Sequence, residues 1–308
     1  MSRTVLRVAV AGLAAMLLAV TPSPQDSANI GLATSILNTV GNSIWPNWTS
    51  APFRIDLLTA EGPAEINFAK PVPAPSFPPN LEATFPWDDG VPTIVIGQPQ
   101  FAQAKTSTRW AVTLLHEHFH QWQDAWPRYF SSVAALGLAS PGDNGMWMLN
   151  YRFPYIDSDV DASYAAMARQ LRSAIVAPDS GSTGRFVSTL ANFEATLSPK
   201  DRTYFNFQCW QEGVARYTEY AVARAAADRH TRDAAFLTSD QASSLDADAT
   251  TTYAGILREL NNADALLEDK RVAFYAFGAA EAILLDRISP GWHEKYLDPR
   301  LDLSVFFP

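Results

Sequence analysis

The chain has 308 residues, 47% apolar and 18% charged, with a formal net charge of −9. That composition suits a folded protein with a substantial core and excludes extensive disorder. The acidic balance, with no basic stripe, excludes a polyanion, so nucleic acid is not an expected partner.

Arg3 and Arg7 precede VAVAGLAAMLLAV, an uncharged run of about 13 residues at 8–20. Such a run is too short to cross a bilayer comfortably and right for the apolar part of a secretory signal. Thr21-Pro22-Ser23-Pro24 then breaks any helix. The expectation is a signal peptide over about residues 1–23, cleaved between Ala19 and Ala28. An uncleaved membrane anchor is the competing reading. Cleavage after residue 22 leaves 21 basic against 32 acidic side chains, a net charge of about −11. No other long apolar stretch follows, so export predicts a secreted or periplasmic protein with no stable membrane span. The Asn47-Trp48-Thr49 sequon matters only in a eukaryotic secretory route.

Residues 29–47 are ambiguous, with a short helix around 32–37. Residues 51–101 carry prolines at 52, 63, 71, 73, 75, 78, 79, 86, 92 and 99, which excludes long helices. Short apolar runs at 53–58 and 93–96 read as strands of a small sheet. After Lys105 the pattern turns helical: the segment ending near Ala125 or Trp126, then 127–138, 160–176, 184–197, 203–229, 249–260 and 271–288. Residues 180–184 and 238–246 read as loops. The layout is α+β, a small strand-rich N-terminal part (51–101) packed on a mainly helical body (102–308), forming one domain over 24–308. Cys209 is the only cysteine, so no internal disulfide forms. Tyr204, Phe205 and Phe207 beside it mark a packing residue rather than a nucleophile.

Within the first of these helices, His116-Glu117-His118-Phe119-His120 satisfies H-E-x-x-H. Four positions come close to one helical turn, so His116 and His120 share a face and can bind one divalent cation. Glu117 lies beside them, where its carboxylate can accept a proton from a water that the cation activates. Pro127 ends the helix shortly after, because the residue before a proline disfavours α geometry. The motif therefore sits in mid-helix. His118 points about 200° away and reads as a neutral, hydrogen-bonded histidine. His230 and His293 stand in polar surroundings and read as surface residues.

A catalytic Zn2+ needs a third protein ligand from another segment, with water in the fourth position. Glu212, in FQCWQEGVARYTEY at 207–220, is the first candidate, because a carboxylate in so apolar a segment needs a partner. Small Gly213 and Ala215 would let that helix pack close to the motif helix. Glu219, seven residues on and near the same face, is the alternative ligand or an orienting group. A salt-bridged helix with Arg216 and Arg224 is the simpler reading of both.

The pair H-E-x-x-H and E-G-x-A on a later helix resembles the gluzincin metallopeptidases, the group containing thermolysin and aminopeptidase N. The resemblance covers residues near 109–124, 208–220 and 271–286. It implies a zincin-like body and makes Glu212 the third zinc ligand. The 92 positions between His120 and Glu212 exceed the spacing in those relatives, so the intervening helices form an insertion over the site. Thermolysin-type enzymes place an aspartate four positions beyond the ligand glutamate to orient a histidine; Arg216 stands there instead. Tyr275, in VAFYAFGAA at 272–280, resembles the tyrosine that donates to the oxyanion in aminopeptidase N relatives. Tyr217 is a second candidate for that role, and core packing is the other reading of Tyr275. By the same resemblance residues 93–97 are a candidate for the edge strand that meets an extended substrate.

These features predict a zinc metallopeptidase acting on a peptide or protein substrate, with His116, His120 and Glu212 as ligands and Glu117 as general base. No G-x-M-E-N exopeptidase signature is present. The rival is a non-catalytic exported binding or scaffold protein of gluzincin-like fold. In that case Trp126, Tyr129, Phe130, Trp147, Tyr151 and Phe153 would cover the groove rather than line a pocket.

Overall fold

The computed structural model describes residues 20–70, 76–140, 143, 145–177 and 179–308. Most of the expected signal segment, residues 1–19, lies outside these. Helix α1 (Pro24–Ile36) opens on a capping box. The Ser23 hydroxyl accepts from the Asp26 amide at 3.1 Å, and the Asp26 carboxylate accepts from the Ser23 amide at 3.0 Å. Pro24 is a helix starter here rather than only a breaker, because its missing N–H falls among donors the first turn leaves free anyway. The chain continues through a π-helical turn (Leu37–Gly41) and the short α2 (Asn42–Ile44). This arm drives Ile36, Leu37, Trp45 and Trp48 into the core.

Four strands follow: β1 (Ile55–Thr59), β2 (Gly62–Ile66), β3 (Glu82–Pro86) and β4 (Pro92–Gly97). Their order is β2-β1-β4-β3, with β1 and β4 parallel and the outer pairs antiparallel. Strand β4 is therefore interior, which corrects the expectation that residues 93–97 form the free edge. The physical sign is its continuous apolar run: every residue of β4 is buried, as in a strand covered on both faces and paired on both sides. The edge lying against the motif helix is β3. One face of the sheet sends Ile55, Leu57, Ile94 and Ile96 into the main core. The other carries Leu58 and Val95 into a small second core with Trp87, packed by Phe68, Phe77, Leu81 and Phe85.

The body is helical: α3 (Ser107–Asp124), α4 (Tyr129–Ala135), α5 (Trp147–Asn150), α6 (Ser158–Val176), α7 (Ser180–Thr196), α8 (Pro199–Gln208), α9 (Val214–Arg232), α10 (Ser239–Glu259), α11 (Ala265–Asp269) and α12 (Ala273–Ile288). Thr106 caps α3 by accepting from the Arg109 amide at 3.2 Å. The expected loops at 180–184 and 238–246 are first turns of α7 and α10, started by the N-caps Asp179 and Thr238. Their serine- and aspartate-rich composition reflects capping rather than irregular chain. Helix α9 packs against α3, α10 and α12, and one continuous core runs from Leu32 to Leu303. The architecture is α+β with a mainly helical body. Among the described residues no helix is long and apolar enough to cross a membrane.

Candidate metal centre

Helix α3 presents His116 and His120 on one face, ring centroids 5.0 Å apart. Opposite them, α8 and α9 are joined without a break by a π-helical turn, Cys209–Gly213, which carries Glu212. Such single widened turns re-aim a side chain within a helix and occur often at functional sites. Two glycines hold the turn. A Cβ on Gly213 would lie 2.5 Å from the Gly278 Cα, and one on Gly278 would lie 2.4 Å from the Cys209 carbonyl oxygen. Gly213 therefore brings the turn close to α12, not to the motif helix as the sequence suggested. Ligand atoms of His116, His120 and Glu212 all lie within 4.8 Å of one another. The Glu212 Oε2 stands 3.6 Å from the His120 Nε2.

A second layer of side chains fixes which nitrogen of each ring is free. His116 Nδ1 lies 2.9 Å from Glu219 Oε1, and a carboxylate only accepts, so Nδ1 carries the proton. Glu219 is held in turn by Arg109 at 2.5 Å and Arg216 at 2.9 Å. It is the orienting group, and Glu212 is the glutamate at the cluster. His120 Nδ1 lies 2.7 Å from the Gln123 Oε1. The Gln123 amide nitrogen donates to the Tyr296 hydroxyl at 2.6 Å, and that hydroxyl donates to the Trp210 carbonyl at 2.6 Å. This chain ties His120 on α3 to the turn bearing Glu212. Both Nδ1 protons are committed, so both Nε2 lone pairs are left for a cation, the usual arrangement around a ligating histidine.

The electrostatics favour a positive charge at this point. Burial opposes ionisation of His120, yet Glu212 outweighs it and lifts the imidazole to about 9. Burial likewise opposes the charge on Glu212, but His120 holds that carboxyl down to about 2. Glu219 is kept well below the ordinary range against its burial, mainly by Arg216 and the bond to His116. Without a metal, a proton shared with His120 satisfies the cluster; a divalent cation would compete for the same site.

Glu117 is buried beside the pair, and the Thr84 hydroxyl of edge strand β3 donates toward it, 2.8 Å from Oε2 and 2.9 Å from its backbone carbonyl. Tyr275 on α12 stands near the cluster as well, close enough for Glu212 to act on its phenol, which accepts from Arg271. Burial, then Glu212, pushes its phenol far above the ordinary value, so it keeps its proton. The cluster is not sealed: side-chain exposures are 12% for His116, 10% for His120 and 18% for Glu212.

Tyr217 does not join the site. It is buried on the far side of α9, donating to Asp286 at 2.7 Å beside Trp45 and Trp292. His118 is fully buried, stacked on Trp48 and paired with Gln121 at 2.8 Å. Burial lowers it to about 4, so it is neutral as expected. His293 is not a free surface residue; its ring packs on Trp45 and Trp292, and Nε2 bonds Asp286 at 3.0 Å. Cys209 is buried, and burial raises its thiol well above the ordinary range. The aromatics after Pro127 turn inward: Trp147 meets Phe207, Tyr151 stacks on Tyr204 and Phe153 meets Phe274. Phe130 stays exposed. Sequence reasoning missed Thr84, Gln123 and Arg109. Only Gln123 carried a local signal, standing three residues from His120 on a helix.

Comparison of the chain with protein-family models, with curated proteins and with solved structures gave no match.

Proposed function

We propose that this protein is an exported zinc-dependent hydrolase, a peptidase of gluzincin type, with His116, His120 and Glu212 holding the metal. The observation that carries this is the pair of Nε2 atoms left unclaimed by the groups that hold each Nδ1, gathered with Glu212 in a cluster with partial solvent access. The donor set fits. Two imidazoles and one carboxylate, with no fourth ligand among the described residues, are the pattern of a catalytic zinc, whereas structural zinc sites are closed by four protein groups. Ligand atoms around one zinc stand about 3–3.5 Å apart, so the cluster needs only a small contraction. When bound, zinc would supply Lewis acidity, activating a water and polarising the substrate carbonyl.

Glu117 is the proton carrier. Thr84 fixes one of its oxygens, and its place next to the ligands suits it to take a proton and return it to the leaving amine. Tyr275, protonated and beside Glu212, is a hydrogen-bond donor for the charge that develops on the carbonyl oxygen. Edge strand β3, which carries Thr84, has an unpaired side that supports binding of an extended peptide. The sequence supports secretion or a periplasmic location through its N-terminal apolar run.

Metal analysis of the purified protein should find one zinc per chain, lost in Glu212→Ala. Degradation of a mixed peptide library should stop with a chelator. Glu117→Gln should keep the zinc and lose turnover by about 10²–10⁴-fold. A wild type without stoichiometric metal, or full activity in Glu117→Gln, would overturn the reading. Stoichiometric zinc with no cleavage of any peptide would favour the scaffold protein instead.

A further inference from the structure

One cation beside the cluster has no role in the hydrolase scheme. Arg271 lies in the tight turn Lys270–Val272 that leads into α12. Its Nη1 donates to the Tyr275 phenol oxygen, and the guanidinium carbon stands 5.5 Å from that ring's centroid. Glu212 bears on the same phenol, so Tyr275 stands between Arg271 and the histidine–glutamate cluster. Tyr155 and Tyr204 lie near the same guanidinium.

The other arginines of the site, Arg109 and Arg216, both pair with Glu219. Among the described residues no carboxylate forms an ion pair with Arg271. The leading carboxylate in its electrostatic environment is Glu212, whose charge the proposed metal would claim. A half-buried guanidinium without an anion of its own is costly, and it persists where something else needs it. The backbone carries the same sign. Lys270 adopts φ 52°, ψ −126°, a region that residues other than glycine rarely occupy. Strain of this kind survives only where the surroundings impose it, and it collects at ligand-binding positions. Here it aims the next side chain.

We propose that Arg271 binds a carboxylate of the substrate, so that the site takes peptides bearing a free carboxylate close to the scissile bond. The inference rests on the hydrolase reading. A guanidinium presents its donors as a planar fork that matches a carboxylate, and only one of those donors is used on Tyr275. One phenol stands between Arg271 and the cluster, a gap that one or two residues of extended chain can bridge. The carboxylate is then either the peptide C-terminus or an Asp or Glu side chain adjoining the cleaved bond.

Calorimetry on the purified protein, zinc-loaded and chelator-treated, can compare an N-acetylated tripeptide acid with its C-terminal amide. A second pair, both amidated, places Glu or Gln next to the target bond. The acid, or the Glu peptide, should bind about tenfold or more tightly than its neutral partner. Arg271→Gln should erase that preference, Arg271→Lys should keep part of it, and neither should change zinc content. In turnover, Arg271→Gln should raise KM for the charged substrate by about tenfold more than for its neutral partner. Preference for the acid identifies the C-terminus as the source; preference for the Glu peptide identifies a side chain. Equal binding of charged and neutral forms, or a preference that survives Arg271→Gln, would overturn the proposal even if zinc-dependent cleavage stands. Missing zinc would sink the hydrolase reading separately, since the binding comparison on metal-free protein is still readable.

Discussion

Two of the groups of buried ionisable side chains among the described residues are built in opposite ways. At the candidate metal site, His116, His120, Glu117 and Glu219 each have a directional partner, and several of those partners have partners of their own. On the outer face of the sheet, both oxygens of buried Asp56 lack any hydrogen bond. Arg54, two residues earlier, uses one nitrogen on Asp89 at 2.5 Å and leaves Nε and Nη2 without partners, its guanidinium lying over the Phe68 ring. The difference separates a constructed site from a tolerated burden. Saturated hydrogen bonding fixes geometry and charge state. An unsaturated carboxyl meets its burial by holding a proton, and burial with nearby Glu65 lifts Asp56 to about 6.

The comparison can be broken most severely at the backbone that brings Glu212 into place. Gly278→Ala would set a methyl carbon 2.4 Å from the Cys209 carbonyl oxygen, a clash between main chains with no flexible side chain to yield. Destabilisation of about 3 kcal/mol or more is expected in urea unfolding, accompanied by weakened metal binding as the π turn shifts. A smaller effect is expected from Glu219→Gln. His116 would lose the carboxylate that fixes its tautomer, and Arg109 and Arg216 would lose their shared anion. Zinc affinity should fall by about 10–100-fold in chelator competition. An unchanged affinity would show that Glu219 serves only the arginines.

The smallest expected change sharpens the other side of the contrast. The folded-state value of Asp56 is raised from 3.8 to about 6, so the folded chain binds this proton more tightly than the unfolded one. Its contribution is therefore full below about pH 4 and is lost as pH rises through about 6. Asp56→Asn removes that loss and should be more stable than wild type by about 1–2 kcal/mol at pH 7–8, with the gap closing at pH 4. A gap independent of pH would mean that Asp56 is not carrying the proton.

Much of the site was legible because its information is local. His116 and His120 share a helical face through spacing alone, and the end of α3 followed from Pro127. Glu212 stood out as a carboxylate in an apolar segment. The edge strand was misplaced because strand pairing order is not written in any one strand. Residues 93–96 have the strongest strand pattern in the chain, and that very pattern belongs to an interior position. Thr84 was invisible for a related reason: it meets Glu117 across 33 residues of sequence, from a weakly patterned strand.

The sequence by itself determined the α+β layout, the helix bearing the two histidines and the candidates for a third ligand, because periodicity, caps and proline act over a few residues. Only the tertiary structure put Glu212 at the histidine pair and Glu219 behind His116, put Tyr275 beside the cluster and Tyr217 away from it, and made β3 the edge next to the motif helix. Those choices depend on the π turn at Cys209–Gly213 and on helices meeting at Gly213 and Gly278, where the direction of a side chain is set by contacts between distant segments.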